Sequence, residues 1–288
     1  MERYSDSNSF KLKLNNGYVF RNMFEYLKLT NTKGNFIFSK DSIVYNQIDT
    51  GIKILNNIYI DTSKTTEYFY DCDEDSFKIG FNIIDIRCIT KLINKNDSLV
   101  IYKNKNENFM HVDILHSNSN KTSQNTVLIR YLDDILLEEP EYSESCFKVN
   151  VKASEFSKMC SNMSSMKCDN IKLEMYKTGI KCVGSTFNIS HHEEILGTLY
   201  EKETTKTVAP DGKKIIISKS KINSVIDTIY MRLKTIKSIS KLSSIGNKTT
   251  LQFFIQSGLP LKINTSVGDF GYINVYIKSE DIENDYSA

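Results

Sequence analysis

Four acidic residues lie close together in the first third of the chain, and residues of this type and spacing could bind a metal ion. Asp71, Asp73, Glu74 and Asp75 offer carboxylate oxygens, which are ligands that magnesium and calcium ions prefer. One interpretation is therefore a metal-dependent enzyme that uses Asp71, Asp73 and Asp75. The glycine and the closing glutamate of an EF-hand loop are missing, so the pattern favours a solvated acidic loop.

Three other patterns offer weaker chemistry. Residues 246–249 are similar to the end of a phosphate-binding loop, but the earlier glycine of that motif is absent. Residues 191–194 contain two adjacent histidines, whose side chains point to opposite faces if they lie on a strand. The six cysteines include no C-x-x-C pair and are interpreted as reduced thiols. We therefore expect a protein that is not an enzyme, without a catalytic residue, a metal or a cofactor.

The composition limits the kind of protein that the chain can be. Fifteen Phe and sixteen Tyr in 288 residues supply ample material for a core. No apolar run approaches the roughly 20 residues of a membrane span, and the N-terminal residues lack a hydrophobic signal core. We expect a soluble intracellular protein without a membrane partner. The net charge of +2 means that nucleic-acid binding would require basic residues gathered on one face.

The elements that would position such residues follow a recurring pattern of strand, helix, strand and strand. In residues 147–184, apolar and polar residues first alternate as in a half-buried strand, and apolar residues then recur at helical spacing. Ser154 is predicted to cap this helix, and Gly179 to supply a positive φ in the turn that follows.

Similar patterns begin at Phe10, Phe77 and Ile215, with helices predicted near residues 18–29, 83–93 and 234–245. The fold class is therefore predicted as α+β, with two similar domains that each contain two repeats. An ordinary α+β protein with regular spacing is the alternative.

Basic residues collect on one side of each predicted helix. Lys234, Lys237 and Lys241 lie close together at about 100° per residue, opposite Ile236 and Ile239. A single such face is usually only solvated. Four equivalent helices on one side of a sheet would instead form a surface that neutralises phosphates without reading bases. The residues expected to bind DNA are Arg21, Arg87, Lys91, Lys158, Lys234, Lys237 and Lys241.

Several segments resemble the sliding clamps of the proliferating cell nuclear antigen (PCNA) family. Residues 146–185, with Glu155, Phe156 and Cys160, resemble the family's strand–helix–strand segment, and residues 258–277 resemble its closing segment. Gln47-Ile48-Asp49 resembles its Q-x-M-D strand. Residues 131–142 resemble its interdomain linker. The closing residues 276–280 lack the family's usual Tyr-Leu-Ala-Pro-Lys, which puts the partner specificity in doubt.

The resemblance implies a DNA clamp fold with an N-terminal domain at residues 1–132, a linker at 133–145 and a C-terminal domain at 146–288. It also implies a homotrimeric ring that encircles double-stranded DNA without sequence specificity. Such a ring is a processivity factor for a DNA polymerase and a docking platform for replication and repair proteins, and a clamp loader places it on DNA. The abundance of Asn, Ile and Lys resembles clamps of large DNA viruses, so the expected location is the nucleus or a cytoplasmic viral replication compartment. The alternative is a clamp-fold processivity or transcription factor that binds DNA without closing a ring.

The resemblance also implies two kinds of protein contact. A pocket for PIP-type peptide partners would contain Ile48, Leu132, Leu137 and Tyr276. Subunits would join through edge strands at residues 125–131 and 179–188. The interface residues expected on these strands are Val127, Ile129, Cys182 and Phe187.

Overall fold

The computed structural model describes residues 8–132, 137–186, 189–208, 214–246 and 250–280. These residues form two compact units. Unit 1 draws its residues from Met1–Glu139, Ser238–Thr249 and Ile263–Ile277, and unit 2 from Pro140–Lys237, Thr250–Lys262 and Lys278–Ala288. The break after Glu139 falls within the predicted linker, while two later segments return to unit 1. The predicted domain division stays a prediction.

Each α-helix of the described chain is followed by several strands. Up to residue 128 they are β1 (Asn8–Leu14), α1 (Gly17–Thr30), β2 (Lys33–Ser39), β3 (Ser42–Ile48), β4 (Ile54–Asp61), a 3-10 turn (Thr62–Lys64), β5 (Glu67–Tyr70), β6 (Ser76–Asn82), α2 (Ile83–Thr90), β7 (Ser98–Asn104), β8 (Phe109–Leu115) and β9 (Thr122–Leu128). From residue 147 they are β10 (Phe147–Lys152), α3 (Ala153–Ser165), β11 (Asn170–Met175), β12 (Gly179–Thr186), β13 (Ile189–Gly197), β14 (Tyr200–Val208), β15 (Lys214–Ile222), β16 (Asp227–Arg232), α4 (Leu233–Ile239), a 3-10 helix (Ser240–Ser244), β17 (Thr250–Ile255), β18 (Leu261–Val267) and β19 (Gly271–Ile277).

Antiparallel pairing builds the sheets of each unit. In unit 1, one sheet has the strand order β5-β1-β7-β8-β9, and a second set of paired strands has the order β18-β19-β4-β3-β2-β6. In unit 2, one sheet has the order β13-β12-β11-β16, β10 pairs with β17, and β14 pairs with β15. This is a mixed α+β architecture, as the sequence predicted. No helix of the described residues has the length and apolar character to cross a membrane.

The predicted repeat is present, with one more strand in each copy. The four copies are β1-α1-β2-β3-β4, β6-α2-β7-β8-β9, β10-α3-β11-β12-β13 and β16-α4-β17-β18-β19. The strand that opens the fourth copy begins at Asp227, so the prediction that this copy begins at Ile215 is wrong. The extra closing strands β4, β9, β13 and β19 matter for assembly, because a closing strand must find a partner or remain an edge.

Local apolar spacing explains why the helices form where they do. Phe20, Met23, Phe24 and Leu27 of α1 are buried, which is one face of a helix. In α3 the predicted residues Phe156, Met159, Cys160 and Met163 are buried as a face in the same way. These faces cover the sheets, so the exposed sides of the helices carry the polar and basic residues.

Two local predictions in the third copy are wrong. The N-cap of α3 is Lys152, and no side chain caps the helix, so Ser154 already lies inside the first turn. Gly179 does not have a positive φ, which the glycines at 197, 258 and 268 do have. Glycine is needed at 179 because a β-carbon there would lie 2.7 Å from the carbonyl oxygen of Thr198. The turn therefore depends on close backbone approach.

Candidate functional site

The two arginines of the predicted DNA surface both have partners within unit 1. The Nη1 of Arg21 donates to the carbonyl oxygen of Ile93 at 2.8 Å, and its guanidinium lies 5.4 Å from the ring centre of Tyr18. Arg87 on α2 forms an ion pair with Glu25 on α1, with 2.9 Å between Nε and Oε1. Their DNA role stays a prediction, and the partly buried ion pair with Glu25 compensates the charge of Arg87.

The five predicted lysines are exposed. Lys91 ends α2, Lys158 lies on α3, Lys234 and Lys237 lie on α4, and Lys241 lies on the 3-10 helix that follows. Within unit 1, α1 packs against both α2 and this 3-10 helix, and the side-chain amide of Asn22 donates to the carbonyl oxygen of Ser244 at 2.6 Å. Lys91 and Lys241 therefore belong to elements that flank the same helix.

A row of paired residues crosses the sheet of unit 1 and includes two of the predicted pocket positions. Ile48 on β3 pairs with Leu55 on β4, which pairs with Tyr276 on β19. Directly opposite residues of antiparallel strands put their side chains on the same face. Asn56, the neighbour of Leu55, turns to the other face and accepts a hydrogen bond from the buried hydroxyl of Tyr26 on α1. Ile48, Leu55 and Tyr276 thus share the face away from α1, which we call the outer face.

Asparagines on successive strands hold the linker on this outer face. The side-chain amide of Asn35 on β2 donates to the carbonyl oxygen of Leu132 at 3.1 Å, and that of Asn46 on β3 to the carbonyl oxygen of Leu137 at 3.3 Å. Asn57 on β4 donates to the carboxylate of Glu139. The linker therefore meets β2, β3 and β4 in turn. Sequence reasoning missed this row, because each asparagine alone is an ordinary polar residue.

Glu139 also binds the predicted pocket residue Tyr276. The Tyr276 hydroxyl donates to Oε2 of Glu139 at 2.5 Å, and only 3% of the tyrosine is exposed. Ile48 and Leu137 are each partly exposed. The structure thus brings Ile48, Leu137 and Tyr276 to one region of the outer face, whereas Leu132, which precedes the linker, lies against β2. Their role in partner binding stays a prediction.

The open sheet edges differ in part from the predicted ones. β9 pairs only with β8 among the described strands and is one edge of its sheet, so residues 125–128 of the predicted segment 125–131 lie on an edge. Arg130 in the same segment instead forms a bridge with Gly80. The prediction of a second edge at residues 179–188 is wrong, because β12 lies between β11 and β13. The edge strands in that sheet are β13 (Ile189–Gly197) and β16 (Asp227–Arg232).

The four predicted interface residues occupy unequal positions. Cys182 is buried at the centre of its sheet, opposite Leu173 and Glu194, and so does not lie on an edge. Phe187 lies outside the described residues. Val127 is on the edge strand but its side chain is buried, and Ile129 is half-buried just beyond β9. Contacts with a neighbouring subunit stay a prediction for Val127 and Ile129.

The acidic residues considered for metal chemistry do not form a metal centre in the described part of the chain. A carboxylate oxygen of Asp71 lies 2.6 Å from the Nζ of Lys105. No group of three or more His, Cys, Asp or Glu residues that could hold a metal ion occurs among the residues that the structure describes. The metal-dependent enzyme that uses Asp71, Asp73 and Asp75 therefore finds no support in the geometry.

The fourfold repeat and its sheet edges define a clamp-type fold, and proteins of known structure or family share it. Residues 9–135 match the family model described as proliferating cell nuclear antigen, N-terminal domain. The crystal structure of the proliferating cellular nuclear antigen from Entamoeba histolytica is similar, with a TM-score of 0.75 and 17% identity, over 95% of this chain and 99% of that chain. The N-terminal part of the chain thus matches the PCNA N-terminal family model, and the similarity to the Entamoeba structure confirms the predicted clamp fold.

A viral protein is similar in sequence. The probable DNA polymerase sliding clamp of Acanthamoeba polyphaga mimivirus is 25% identical over 221 residues, which are 75% of this chain. The chain spans 42% of the length of that viral relative. The resemblance to viral clamps that the sequence suggested is therefore supported by a viral relative.

Proposed function

We propose that the chain is a DNA sliding clamp. Copies of it join head to tail into a homotrimeric ring that encircles duplex DNA without reading its sequence. The ring acts as the processivity factor of a DNA polymerase, a role that agrees with the name of the mimivirus relative. The observation that carries the proposal is that two closing strands, β4 and β19, pair inside the chain, while the two other closing strands, β9 and β13, are open edges.

The strand pair inside the chain joins the closing strands of the first and fourth repeats. β4 and β19 pair antiparallel over seven consecutive positions, from Ile54–Ile277 to Ile60–Gly271. The closing strands of the second and third repeats, β9 and β13, are edges. If equivalent strands pair in equivalent ways, β9 of one copy pairs with β13 of the next. A head-to-tail contact of this kind forms a ring when its rotation closes.

Exposed apolar side chains at both edges support this contact. Leu128 on β9 is 47% exposed, and its cross-strand neighbour Phe109 is also exposed. On β13, Ile195 is 52% exposed. An open edge with apolar side chains tends to recruit another strand. The Leu128 and Ile195 side chains would lose their exposed surface in the ring.

The outer face and its linker are the docking surface in this proposal. PIP-type peptides of the polymerase and of repair proteins would contact Ile48, Leu137 and Tyr276, and a clamp loader would open the ring through the same surface. The protein would have no catalytic activity of its own. It would work in the nucleus or in a cytoplasmic viral replication compartment.

A topological experiment tests the proposal without a loader. Linear duplex DNA with biotin at both ends is incubated with the protein, the ends are then blocked with streptavidin, and the salt concentration is raised. High salt removes proteins that are held by phosphate contacts alone. A closed ring stays on the blocked duplex and leaves when a restriction enzyme cuts it. Loss of all protein at high salt from blocked DNA would instead identify a clamp-fold factor that binds without closing.

A further inference from the structure

Two tyrosines form an exposed aromatic surface beside the linker on the outer face. Tyr59 on β4 and Tyr272 on β19 are directly paired, and their rings stack with centroids 5.3 Å apart and planes 19° from parallel. Tyr272 is 40% exposed and Tyr59 is partly exposed. Tyr272 and Tyr276 are four residues apart on β19, an even number, so their side chains lie on the same face. Tyr59 lies on that face too, because it is directly opposite Tyr272.

Negative charge stands next to these rings. Glu139 binds the side chain of Asn57, and the backbone of Asn57 lies two residues, or about 7 Å, before that of Tyr59. Burial raises the pKa of Tyr272, and the charge of Glu139 raises it further, as does Tyr59. Glu138 is exposed beside Glu139. The charge of Lys64 also interacts with Tyr59, but Lys64 forms an ion pair with Asp61 at 2.8 Å. The two glutamates therefore leave a negative charge beside the rings that favours a cation over an anion.

We propose that Tyr59, Tyr272 and Glu139 form a subsite for a cationic side chain of the partner peptide. The inference rests on the proposed docking function of the outer face. A cation over an aromatic face is attracted by the ring quadrupole, and a neighbouring carboxylate adds a charge-assisted hydrogen bond. Arginine suits the subsite best, since its planar guanidinium stacks on a ring while its N–H groups reach a carboxylate.

The register of β19 sets where the cation must stand in the peptide. Tyr272 and Tyr276 are four residues apart, which is about 13 Å along a strand. An extended peptide with its apolar anchor at Tyr276 therefore places a residue four positions away over Tyr272. A nucleic-acid backbone does not fit this position, because its phosphates would face Glu138 and Glu139.

The test uses synthetic peptides that each contain one apolar anchor, made of aliphatic and aromatic residues, for the surface at Tyr276. One peptide carries arginine four residues before the anchor and another four residues after it, and each has a matched peptide with neutral, nearly isosteric citrulline. Binding to the full chain is measured by calorimetry at low salt. The arginine peptide of one placement should bind about threefold to thirtyfold more tightly than its citrulline match.

Variants of the chain locate the effect. Tyr272→Leu should reduce the preference for arginine while the citrulline peptide binds as before. Glu139→Gln should also reduce the ratio of arginine-peptide to citrulline-peptide affinity. Tyr272→Phe retains the ring and should retain the preference.

Three results would contradict the subsite, and they are distinguishable. Equal binding of arginine and citrulline peptides in both placements, with affinity lost in Leu137→Ala, would overturn the subsite and leave the docking face in place. An equal loss of both peptides in Tyr272→Leu would assign the rings to an uncharged contact and overturn the cationic one. Absence of any binding sensitive to Leu137→Ala would overturn both the subsite and the docking face.

Discussion

The Nε of Arg87 lies 2.9 Å from Oε1 of Glu25, and its Nη2 donates to the other carboxylate oxygen at 3.2 Å. This pair joins α2 to α1 on the helical side that the proposed ring turns toward DNA. A carboxylate at that place weakens the attraction for phosphate and occupies the arginine. In the proposed ring, Glu25 would therefore limit how tightly unit 1 holds the duplex.

Replacement of Glu25 by glutamine should strengthen DNA binding. The change removes one negative charge and frees Arg87 for a phosphate, so the slope of log affinity against log salt should steepen by about 0.9. Fluorescence anisotropy with a labelled duplex over a salt series measures both quantities. Asp75→Asn, which removes an exposed carboxylate of the acidic loop, is the matched control. Equal slopes for Glu25→Gln, the control and the native chain would refute the role of Glu25.

The lysines of α4 and its 3-10 extension give a second prediction. Lys234, Lys237 and Lys241 replaced together by alanine should weaken DNA association and reduce the salt slope by up to about 2.7, since each phosphate contact contributes about 0.9. The oligomer should stay intact, because all three side chains are exposed.

The control for this variant removes the same charge elsewhere. Lys40, Lys121 and Lys148 are exposed and lie outside the helices. Their triple alanine variant should bind DNA nearly as the native chain does. Equal weakening in the two triple variants would show that only net charge matters, and no change in either would remove the helices from the DNA surface.

The contact between the linker and β19, which includes the hydrogen bond of Tyr276 to Glu139, gives a third prediction. Leu137→Ala should cost a partner peptide about 1–3 kcal/mol of binding free energy without loss of the oligomer. Tyr276→Ala also empties a buried position, so it should lower the free energy of unfolding as well. Tyr276→Phe retains the ring and removes only the hydroxyl that binds Glu139.

Tyr276→Phe separates an effect on peptide affinity from an effect on the free energy of unfolding. Its free energy of unfolding should fall by about 1 kcal/mol, the usual contribution of one hydrogen bond. Calorimetry and urea unfolding of the same preparations measure both effects. Full peptide affinity in the Leu137→Ala, Tyr276→Ala double variant would place recognition elsewhere.

Asp97 gives a prediction about acid stability. It is 1% exposed, and burial raises the pKa of its carboxyl, but hydrogen bonds from the Asn94 and Ser117 amides and from His116 outweigh burial and leave the pKa at about 2. Its contribution is therefore complete above about pH 4 and is lost as the pH falls toward 2. In urea unfolding, Asp97→Asn should cost about 1–3 kcal/mol at pH 7, and the difference should shrink below pH 4. A constant difference from pH 7 to pH 2 would refute this account.

Local periodicity was enough to predict the helices and the repeat. The helix predicted at 18–29 is Gly17–Thr30, because a buried helical face recurs every three or four residues whatever surrounds it. Apolar alternation does not show which strand neighbours which. Cys182 alternates in the same way whether its strand is central or at an edge, so the sequence could not show that β12 is a central strand.

Long-range pairs were equally invisible in the sequence. Arg87 and Glu25 are 62 positions apart and meet only because α1 packs against α2. Asn35, Asn46 and Asn57 line up under the linker only through the register of β2, β3 and β4. The resemblance to the PCNA family suggested the outer face as a docking surface, but no sequence pattern indicates the hydrogen bond between Glu139 and Tyr276.

The edge strand β9 allows the assembly to be broken by one substitution. Leu128→Asp puts a charge on an apolar side chain that the ring would bury, whereas Ile52→Asp changes an exposed apolar residue in the loop between β3 and β4. Burial of an unpaired charge is costly, so Leu128→Asp should dissociate the oligomer. Ile52→Asp should not.

The mass of the native chain in solution tests the ring most directly. Light scattering at micromolar concentration should give about three times the chain mass of 33.1 kDa, as expected for a closed head-to-tail trimer. The Ile52→Asp variant should give the same mass, and Leu128→Asp a mass near that of one chain. A single-chain mass for the native protein would contradict the proposed ring.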